Sequence, residues 1–124
     1  MGWNFQADRP IYAQLMEEIK RRIISGVYKP GEKMPSVRDL AAEASVNPNT
    51  MQRAFAQLEQ EGLLYTQRTS GRFVTEDEER IMDMKNELAK ELIRDFWKNM
   101  EQLGFGRQQT LTLLTTMKEE CDRT

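Results

Sequence analysis

The stretch from residue 35 to residue 62 constrains the fold of this chain most, because it contains two short helical patterns separated by a tight break. Ser36 can cap the first helix, since its hydroxyl can accept a hydrogen bond from an amide that the helix leaves free. Asn47 and Pro48 open the second helix, as a cap and as the residue best tolerated in a first turn, and Gly62 ends it. The second helix has an apolar stripe at helical spacing, which consists of Met51, Ala54, Phe55 and Leu58. The pattern predicts a helix-turn-helix pair.

The polar face of the second helix carries side chains that can read bases. Its first turns hold Asn49, Thr50, Gln52 and Arg53. Asparagine, glutamine and arginine can pair with adenine or guanine edges, and threonine can bond a phosphate or contact a thymine methyl. In a helix-turn-helix protein the first residues of the second helix make the base contacts, and the amides after the Asn47 cap suit a phosphate. Taken alone, this pattern leaves an ordinary solvent-exposed helix face equally open.

Two short β-rich runs follow the helix pair. Residues 63–67 and 72–75 are separated by Arg68-Thr69-Ser70-Gly71, and a four-residue connection that contains glycine predicts a β-hairpin. A hairpin directly after the second helix would be the wing of a winged helix-turn-helix. Arg68 and Arg72 lie beside its flexible tip and suit a phosphate or a minor groove. The alternative is that both are exposed charges at strand ends.

Residues 11–75 resemble the DNA-binding domain of the GntR family of bacterial transcription regulators. The resemblance covers about half of the chain and implies a winged helix-turn-helix that binds DNA. The short tail and the run Val46–Thr50 look most similar to the YtrA-like subgroup. The matching segments are Ile11-Tyr12, Gln14-Leu15, Ile23–Gly26, Pro30–Ser36, Arg38–Ala41, Val46–Thr50, Ala54, Leu58-Glu59, Glu61–Leu63 and Gly71–Val74.

The same resemblance implies which residues contact DNA. In that family the contacts tend to come from the positions that match Ser36, Arg38, Asn47, Asn49, Thr50, Arg53 and Gly71. Together with Gln52, Arg68 and Arg72 from the residue patterns, these positions form the predicted DNA-binding set. Pro48-Asn49 departs from much of the family, where other subgroups have arginine or serine. The departure leaves the target sequence open, but not the mode of binding.

Several classes of protein are excluded by what the sequence lacks. Its 124 residues contain no histidine, so there is no Ser-His or Cys-His nucleophile and no histidine metal site. No glycine-rich phosphate loop of the Walker or Rossmann type occurs. We therefore predict no enzyme, no cofactor and no metal.

The sequence also predicts where the protein acts. No apolar run approaches the roughly 18 residues of a membrane span, which predicts no membrane partner. The first ten residues lack the basic start and the apolar core of a signal peptide. The single cysteine, Cys121, cannot form an internal disulfide and suits a reducing cytoplasm, which is the predicted location.

The net charge of −2 is distributed unevenly between two parts of the chain. Residues 1–75 contain ten basic and eight acidic side chains, whereas residues 76–124 contain eight and twelve. The signs are those expected of a DNA-binding domain with an acidic appendage, but the difference is small. Affinity for phosphate would therefore depend on where a few basic side chains point, and not on bulk charge.

The first third of the chain predicts an arm, a helix and a loop. Trp3 and Phe5 form an apolar arm, which either pairs as an edge strand or packs on a neighbouring helix. Pro10 opens the helix at its first position. The basic run Lys20–Arg22 either approaches the DNA backbone or, as we favour, interacts with the helix C-terminus. The resemblance implies a short strand at Lys33-Met34 beside the wing. The predicted core consists of Ile11, Leu15, Ile19, Ile23, Leu40, Ala41, Val46, Met51, Phe55, Leu58, Leu63, Leu64, Phe73 and Val74.

Residues 76–124 predict two helices, and the first has a broad apolar stripe. Because two helices of this size cannot cover each other fully, and an uncovered stripe is an association site, we predict a dimerisation tail. The residues assigned to the dimer contact are Leu88, Leu92, Phe96 and Met100. The alternative is that the tail folds back on the winged domain. A small-molecule effector, of no identified class, would have to bind among Met84, Phe96, Trp97, Met100 and Phe105, but the tail has little room for a pocket, and packing is the favoured use.

These observations predict a mainly α fold with a small β-hairpin, in which a winged helix-turn-helix domain at 1–75 precedes a two-helix dimerisation tail at 76–124. The predicted function is sequence-specific binding of double-stranded operator DNA by a homodimer. Such a dimer would read an inverted repeat and act as a repressor of transcription. The alternative is a winged helix that binds other proteins and no DNA.

Overall fold

Seven secondary-structure elements lie within residues 2–122, the part of the chain that this computed structural model describes. They confirm the prediction of a mainly α fold with a small hairpin. In chain order they are α1 Ile11–Ile24, α2 Val37–Ala44, α3 Pro48–Gln60, β1 Leu64–Gln67, β2 Gly71–Val74, α4 Glu78–Gln102 and α5 Arg107–Asp122.

The chain forms two compact units, Met1–Lys85 and Asn86–Thr124. The first unit contains α1 to α3, the hairpin and the start of α4, and the second contains the rest of α4 and α5. The domain ranges 1–75 and 76–124 divide the chain by expected function and stay a prediction. Residue 1 and residues 123–124 of those ranges lie outside the described part.

Local hydrogen bonds fix the helix-turn-helix pair as predicted. The Ser36 hydroxyl accepts a hydrogen bond from the Asp39 amide at 3.0 Å and caps α2. The Asn47 side chain accepts one from the Asn49 amide at 2.8 Å and caps α3, with Pro48 in the first turn. Between the helices, Ser45 adopts a left-handed conformation with φ of 57°. This one residue turns the chain between two helices that each have their own cap.

Gly62 ends α3 in the conformation that glycine favours, with φ of 79°. Its amide donates to the Glu59 carbonyl at 2.9 Å, and the Leu63 amide donates to the Leu58 carbonyl at 3.0 Å. This pair of bonds is a Schellman motif, which satisfies the last carbonyls of a helix and reverses the chain. It leads α3 directly into β1.

The hairpin is one residue tighter than the sequence suggested. Gln67 pairs with Gly71 and Leu64 pairs with Val74, so the loop comprises residues 68–70 and Gly71 begins β2. Lys33 forms an isolated antiparallel bridge with Phe73. The strand-like segment predicted at Lys33-Met34 therefore does lie beside the wing.

Helix α3 is the centre of the first unit and packs against α1, α2 and β1. Most of the predicted core is buried, but Ile11 is 36% exposed. Ile11 is the first residue of α1, one turn before Leu15, and lies at the exposed end of the predicted stripe. Val46 and Phe73 are half-buried. Buried residues that the predicted core omitted include Met16, Tyr28, Met34, Ala44, Ala54 and Met84.

The N-terminal arm packs on helices, and no strand forms in its described residues. The Trp3 indole donates to a Glu43 carboxylate oxygen at 2.6 Å, and the Arg22 guanidinium lies 4.3 Å from the Trp3 ring centroid. The buried Gln14 side chain accepts from the Gln6 amide at 2.6 Å and donates to the Gln6 carbonyl at 2.8 Å. Pro10 is the N-cap of α1 and not its first helical residue.

Arg22 is buried at the junction of α1, α2 and the loop that follows α1. Its guanidinium donates to Glu18, Tyr28 and Glu43, each at 3.0 Å. Burial raises the pKa of Tyr28, while the hydrogen bond from Arg22 opposes that rise. Lys20 pairs with Glu61 at 3.0 Å. These two members of the basic run are thus tied to acidic side chains, which neither proposed role of the run had anticipated.

The second unit leaves many apolar side chains exposed. Leu92 is 59% exposed and Leu103 is 73% exposed, and Leu88, Phe96 and Met100 are half-buried. Further exposed apolar residues of this unit are Ile93, Phe105, Leu111, Leu113, Leu114 and Met117. Met84, assigned from sequence to the apolar stripe of the tail, is buried in the first unit, because α4 begins within that unit. Among residues 2–122, no helix has the length and apolar character to cross a bilayer.

Candidate nucleic-acid interface

The N-terminal half of α3 presents the polar side chains that the sequence singled out. Asn49, Gln52 and Arg53 are exposed and Thr50 is half-buried, whereas Met51, Ala54 and Phe55 are buried. The helix therefore packs through one face and offers amide, hydroxyl and guanidinium groups on the other. The amides expected to suit a phosphate are already occupied, because Pro48 has no N–H, the Asn49 amide donates to the Asn47 side chain, and the Thr50 and Met51 amides donate to the Asn47 carbonyl.

Arg53 is exposed but is not held by an acidic side chain. Its guanidinium carbon lies 3.8 Å from the centroid of the Tyr12 ring on α1. A guanidinium that stacks on an aromatic face keeps its N–H groups available in its own plane. The Tyr12 ring, which the sequence did not assign to the site, thus supports Arg53 without occupying its donors.

The start of α2 and the turn of the wing lie on either side of one surface cleft of about 430 Å3. Ser36 and Arg38 are exposed at the start of α2. The lining of the cleft includes Lys33, Ser36, Val37, Thr69, Ser70 and Gly71. Ser36 is therefore close to the wing, and its hydroxyl retains a donor after it has accepted the capping bond.

Gly71 is required by the geometry of the wing. Its φ of +105° is a conformation that side chains disfavour, and a Cβ there would lie 3.2 Å from the Lys33 side chain. Arg68 is exposed in the turn before it. A role of Gly71 in DNA binding would therefore be the close approach and shape of the wing, while Arg68 could supply charge.

Arg72 does not extend from the wing tip as the sequence suggested. Its Nε donates to Glu59 at 3.0 Å and one of its terminal nitrogens donates to the Gln52 side chain at 3.2 Å. Its guanidinium also lies 5.3 Å from the centroid of the buried Phe55 ring. The side chain folds back onto α3, since β1 packs on that helix and Arg72 is paired with Thr66 of β1. Direct contact of Arg72 with DNA stays a prediction.

Glu59 is a member of this cluster that the sequence analysis missed. It accepts hydrogen bonds from Thr66 and Arg72, and these bonds lower its pKa, with Thr66 making the larger contribution. The available signal was its spacing, since Glu59 is two helical turns after Gln52 and so lies on the same side of α3.

The ion pairs of the first unit separate two groups of cations. Within the described residues, salt bridges engage Arg9, Lys20, Arg22 and Arg72. None of those pairs includes Arg38, Arg53 or Arg68. Six other cations of residues 2–75 take no part in those pairs: Arg38, Arg53 and Arg68, which belong to the predicted DNA-binding set, and Arg21, Lys29 and Lys33, which do not.

Comparison with known proteins identifies this arrangement. The sequence pattern described as "Bacterial regulatory proteins, gntR family" matches residues 11–74, which include α1 to α3 and the hairpin. The chain belongs to the GntR family. It is 36% identical over 119 residues to the uncharacterized HTH-type transcriptional regulator YhcF of Bacillus subtilis, covering 96% of this chain and 98% of YhcF. It is 39% identical over 95 residues to the HTH-type transcriptional repressor YtrA of the same bacterium, covering 73% of each protein.

Solved structures support the GntR assignment and the winged helix-turn-helix fold. A GntR family transcriptional regulator from Listeria monocytogenes superimposes with a TM-score of 0.81 at 38% identity, covering 90% of this chain and 98% of that one. The DNA-binding domain of AraR, in complex with operator ORX1, superimposes with a TM-score of 0.55 at 32% identity, covering 60% of this chain and 99% of that one. This GntR protein is a transcription regulator of the YtrA-like subgroup and not an enzyme.

Proposed function

We propose that this chain is a repressor that binds an inverted-repeat operator in double-stranded DNA as a homodimer. The observation that carries the DNA-binding part is the placement of Arg38, Arg53 and Arg68. All three are exposed and take part in none of the ion pairs of the described structure, unlike Arg72 of the same predicted set. Charges that remain available are the ones that can displace counterions from DNA.

Base reading is assigned to the start of α3. Asn49, Gln52 and Arg53 are exposed there with Thr50 beside them, and these side chains can hydrogen-bond base edges in a major groove. The wing, with Arg68 and Gly71, would contact the neighbouring backbone or minor groove. Ser36 and Arg38 at the start of α2, together with the Asn47 cap, would fix the helix pair on the phosphates. The AraR domain bound to its operator has the same fold at 32% identity, which supports this assignment.

The homodimer is assigned to the second unit. Many apolar residues of this unit are exposed, among them Leu92 and Ile93 on α4 and Leu111 and Leu114 on α5. Exposed apolar surface of this kind is typical of a surface that contacts another protein chain. A two-fold dimer brings two copies of α3 to DNA, and half-sites would lie about one helical turn, or a multiple of it, apart. Repression is assigned because YtrA, 39% identical over 95 residues, is named as a repressor.

The test uses the intact chain and fluorescence anisotropy with labelled DNA from its own upstream region, at two salt concentrations and with random DNA as competitor. Competitor-resistant binding by two chains per duplex is the expected result. Arg53→Ala should weaken that binding by about 1 to 3 kcal/mol if Arg53 pairs with a base. Lys118→Ala, which removes an exposed charge from α5, is the control and should leave the affinity unchanged.

Two results would count against this function. Equal affinity of wild type and Arg53→Ala would remove Arg53 from the interface. Absence of binding to any duplex, together with capture of a protein partner through the same α3 face, would favour the alternative of a protein-interaction module.

A further inference from the structure

Arg72 joins the wing to α3 through a cluster of polar contacts. On one side its Nε donates to Glu59 at 3.0 Å, and on the other a terminal nitrogen donates to Gln52 at 3.2 Å. Glu59 also accepts a hydrogen bond from Thr66 of β1, and Phe55 lies below the guanidinium. The guanidinium is thus held at its two ends and on one face.

The chemistry of arginine decides the orientation of the Gln52 amide. A guanidinium has donors only, so the atom of Gln52 that faces it must be the oxygen. The amide nitrogen, which carries two donors, is then directed away from Arg72. A free glutamine can rotate its amide to present either group, and Arg72 removes that freedom.

Glu59 fixes Arg72 in turn. The side chains of Arg72 and Glu59 are 21% and 30% exposed, so water competes only partly for their hydrogen bonds. The bond from Thr66 sets the position of the same carboxylate oxygen that receives Arg72. A chain of contacts therefore runs from β1 through Glu59 and Arg72 to an exposed side chain in the base-reading part of α3.

We propose that Glu59 and Arg72 are positioning residues that set the base preference of Gln52. With its oxygen directed to Arg72, Gln52 presents N–H donors to the groove. Donors fit a guanine, whose N7 and O6 are both acceptors in the major groove, whereas bidentate recognition of adenine needs the glutamine oxygen as well. This inference rests on the proposed DNA-binding function and assigns Arg72 to orientation of Gln52 instead of to a phosphate.

The experiment selects binding sites from a random 30-base-pair duplex library with the intact wild-type chain and with Gln52→Ala, Arg72→Ala, Arg72→Lys and Glu59→Ala. Thermal melting by circular dichroism confirms that each variant is folded. Arg72→Lys is the informative variant, because lysine keeps the charge but cannot bridge Glu59 and Gln52 as a planar fork does. Arg68→Ala is the matched control, since Arg68 is an exposed arginine of the same wing.

The wild type is expected to select a guanine at the base pair where Gln52→Ala loses preference. Arg72→Ala, Arg72→Lys and Glu59→Ala should lose that preference too, on the order of tenfold, with other positions of the site unchanged. The salt dependence of binding should stay the same for both Arg72 variants, whereas Arg68→Ala should reduce its logarithmic slope by about 0.9 if Arg68 contacts a phosphate.

Three results would overturn the inference. In the first, Arg72→Ala keeps the base preference and loses about 0.9 of the salt slope, which identifies a phosphate contact. In the second, the wild type selects adenine at the Gln52-dependent position. In the third, the wild type enriches no sequence at all; this result rejects the proposed function as well, and so differs from the first two, which reject only the positioning role.

Discussion

Removal of the Arg22 guanidinium should destabilise the first unit far more than removal of its exposed neighbour Arg21. Arg22 is 5% exposed and donates at 3.0 Å to Glu18, Tyr28 and Glu43. It also lies 4.3 Å from the centroid of the Trp3 ring. The substitution Arg22→Ala would remove all of these contacts and leave a gap where the stem of the side chain now packs.

The size of the effect follows from how exposed the acidic partners are. Breaking a fully buried ion pair costs about 3 to 5 kcal/mol, because the other charge is left buried and unpaired. Here the Glu43 side chain is 52% exposed and that of Glu18 is 24% exposed, so water can solvate both in part. A cation–π contact contributes about 0.5 to 2 kcal/mol more, according to its exposure. We therefore expect Arg22→Ala to lower the free energy of unfolding by about 2 to 4 kcal/mol.

Urea denaturation at pH 7 and a fixed protein concentration measures this difference. Arg21→Ala, the control for charge and helix propensity, should change the free energy of unfolding by less than about 0.5 kcal/mol. Arg22→Lys should fall between wild type and Arg22→Ala, because an ammonium can reach only some of the three acceptors. Equal midpoints for Arg22→Ala and Arg21→Ala would show that the buried cluster contributes no net stability, and would refute the reasoning.

Three other perturbations test separate parts of the structure. Leu92→Glu places a charge at an exposed apolar position of α4 and should yield monomers in sedimentation velocity, whereas a variant that stays dimeric would exclude this face as the dimer contact. Asn47→Ala removes the cap of α3 and should lower the free energy of unfolding by about 1 kcal/mol in urea, with Asn47→Asp as a control that retains the cap. Hydrogen bonds from Thr66 and Arg72 hold the pKa of Glu59 below 4.5, and those from Trp3 and Arg22 do the same for Glu43. A carboxylate whose pKa is lower in the folded state than in the unfolded state stabilises the fold above its unfolded-state pKa, and this stabilisation is lost as the pH falls through its folded-state pKa. The urea midpoint should therefore decrease below about pH 4.5, and by less in Glu59→Gln than in wild type.

Elements that depend on neighbours in sequence could be predicted from the residues alone. The Ser36 and Asn47 caps and the glycine that ends α3 are each fixed by residues within one turn, so their positions agree with the structure. The apolar stripe of α3 was predictable for the same reason, because helical spacing alone defines a face. Ile11 was misplaced because helical spacing defines a face but not how far neighbouring elements cover its ends, and Ile11 is the first residue of α1.

Contacts between residues distant in sequence could not be predicted in this way. The Trp3 and Glu43 side chains, 40 residues apart, meet only because the arm crosses from α1 to α2. Arg72 and Gln52 are 20 residues apart and meet because the wing folds beside α3. The spacing of polar side chains in the sequence does not indicate which distant residues they contact. The partners of Arg22 and Arg72 could therefore be identified only from the fold.

The charge of the protein shows why this matters for function. Residues 1–75 have only two more basic than acidic side chains, which is weak for a DNA-binding domain. Only some of the cations are neutralised by acidic side chains. Arg9 pairs with Glu17, Lys20 with Glu61, Arg22 with Glu18 and Glu43, and Arg72 with Glu59. A small net charge is then compatible with a basic local surface, because three of the arginines without such partners, Arg38, Arg53 and Arg68, belong to α2, α3 and the wing. What governs affinity for phosphate is therefore which cations the fold leaves unpaired, and that property is set by tertiary contacts and not by composition.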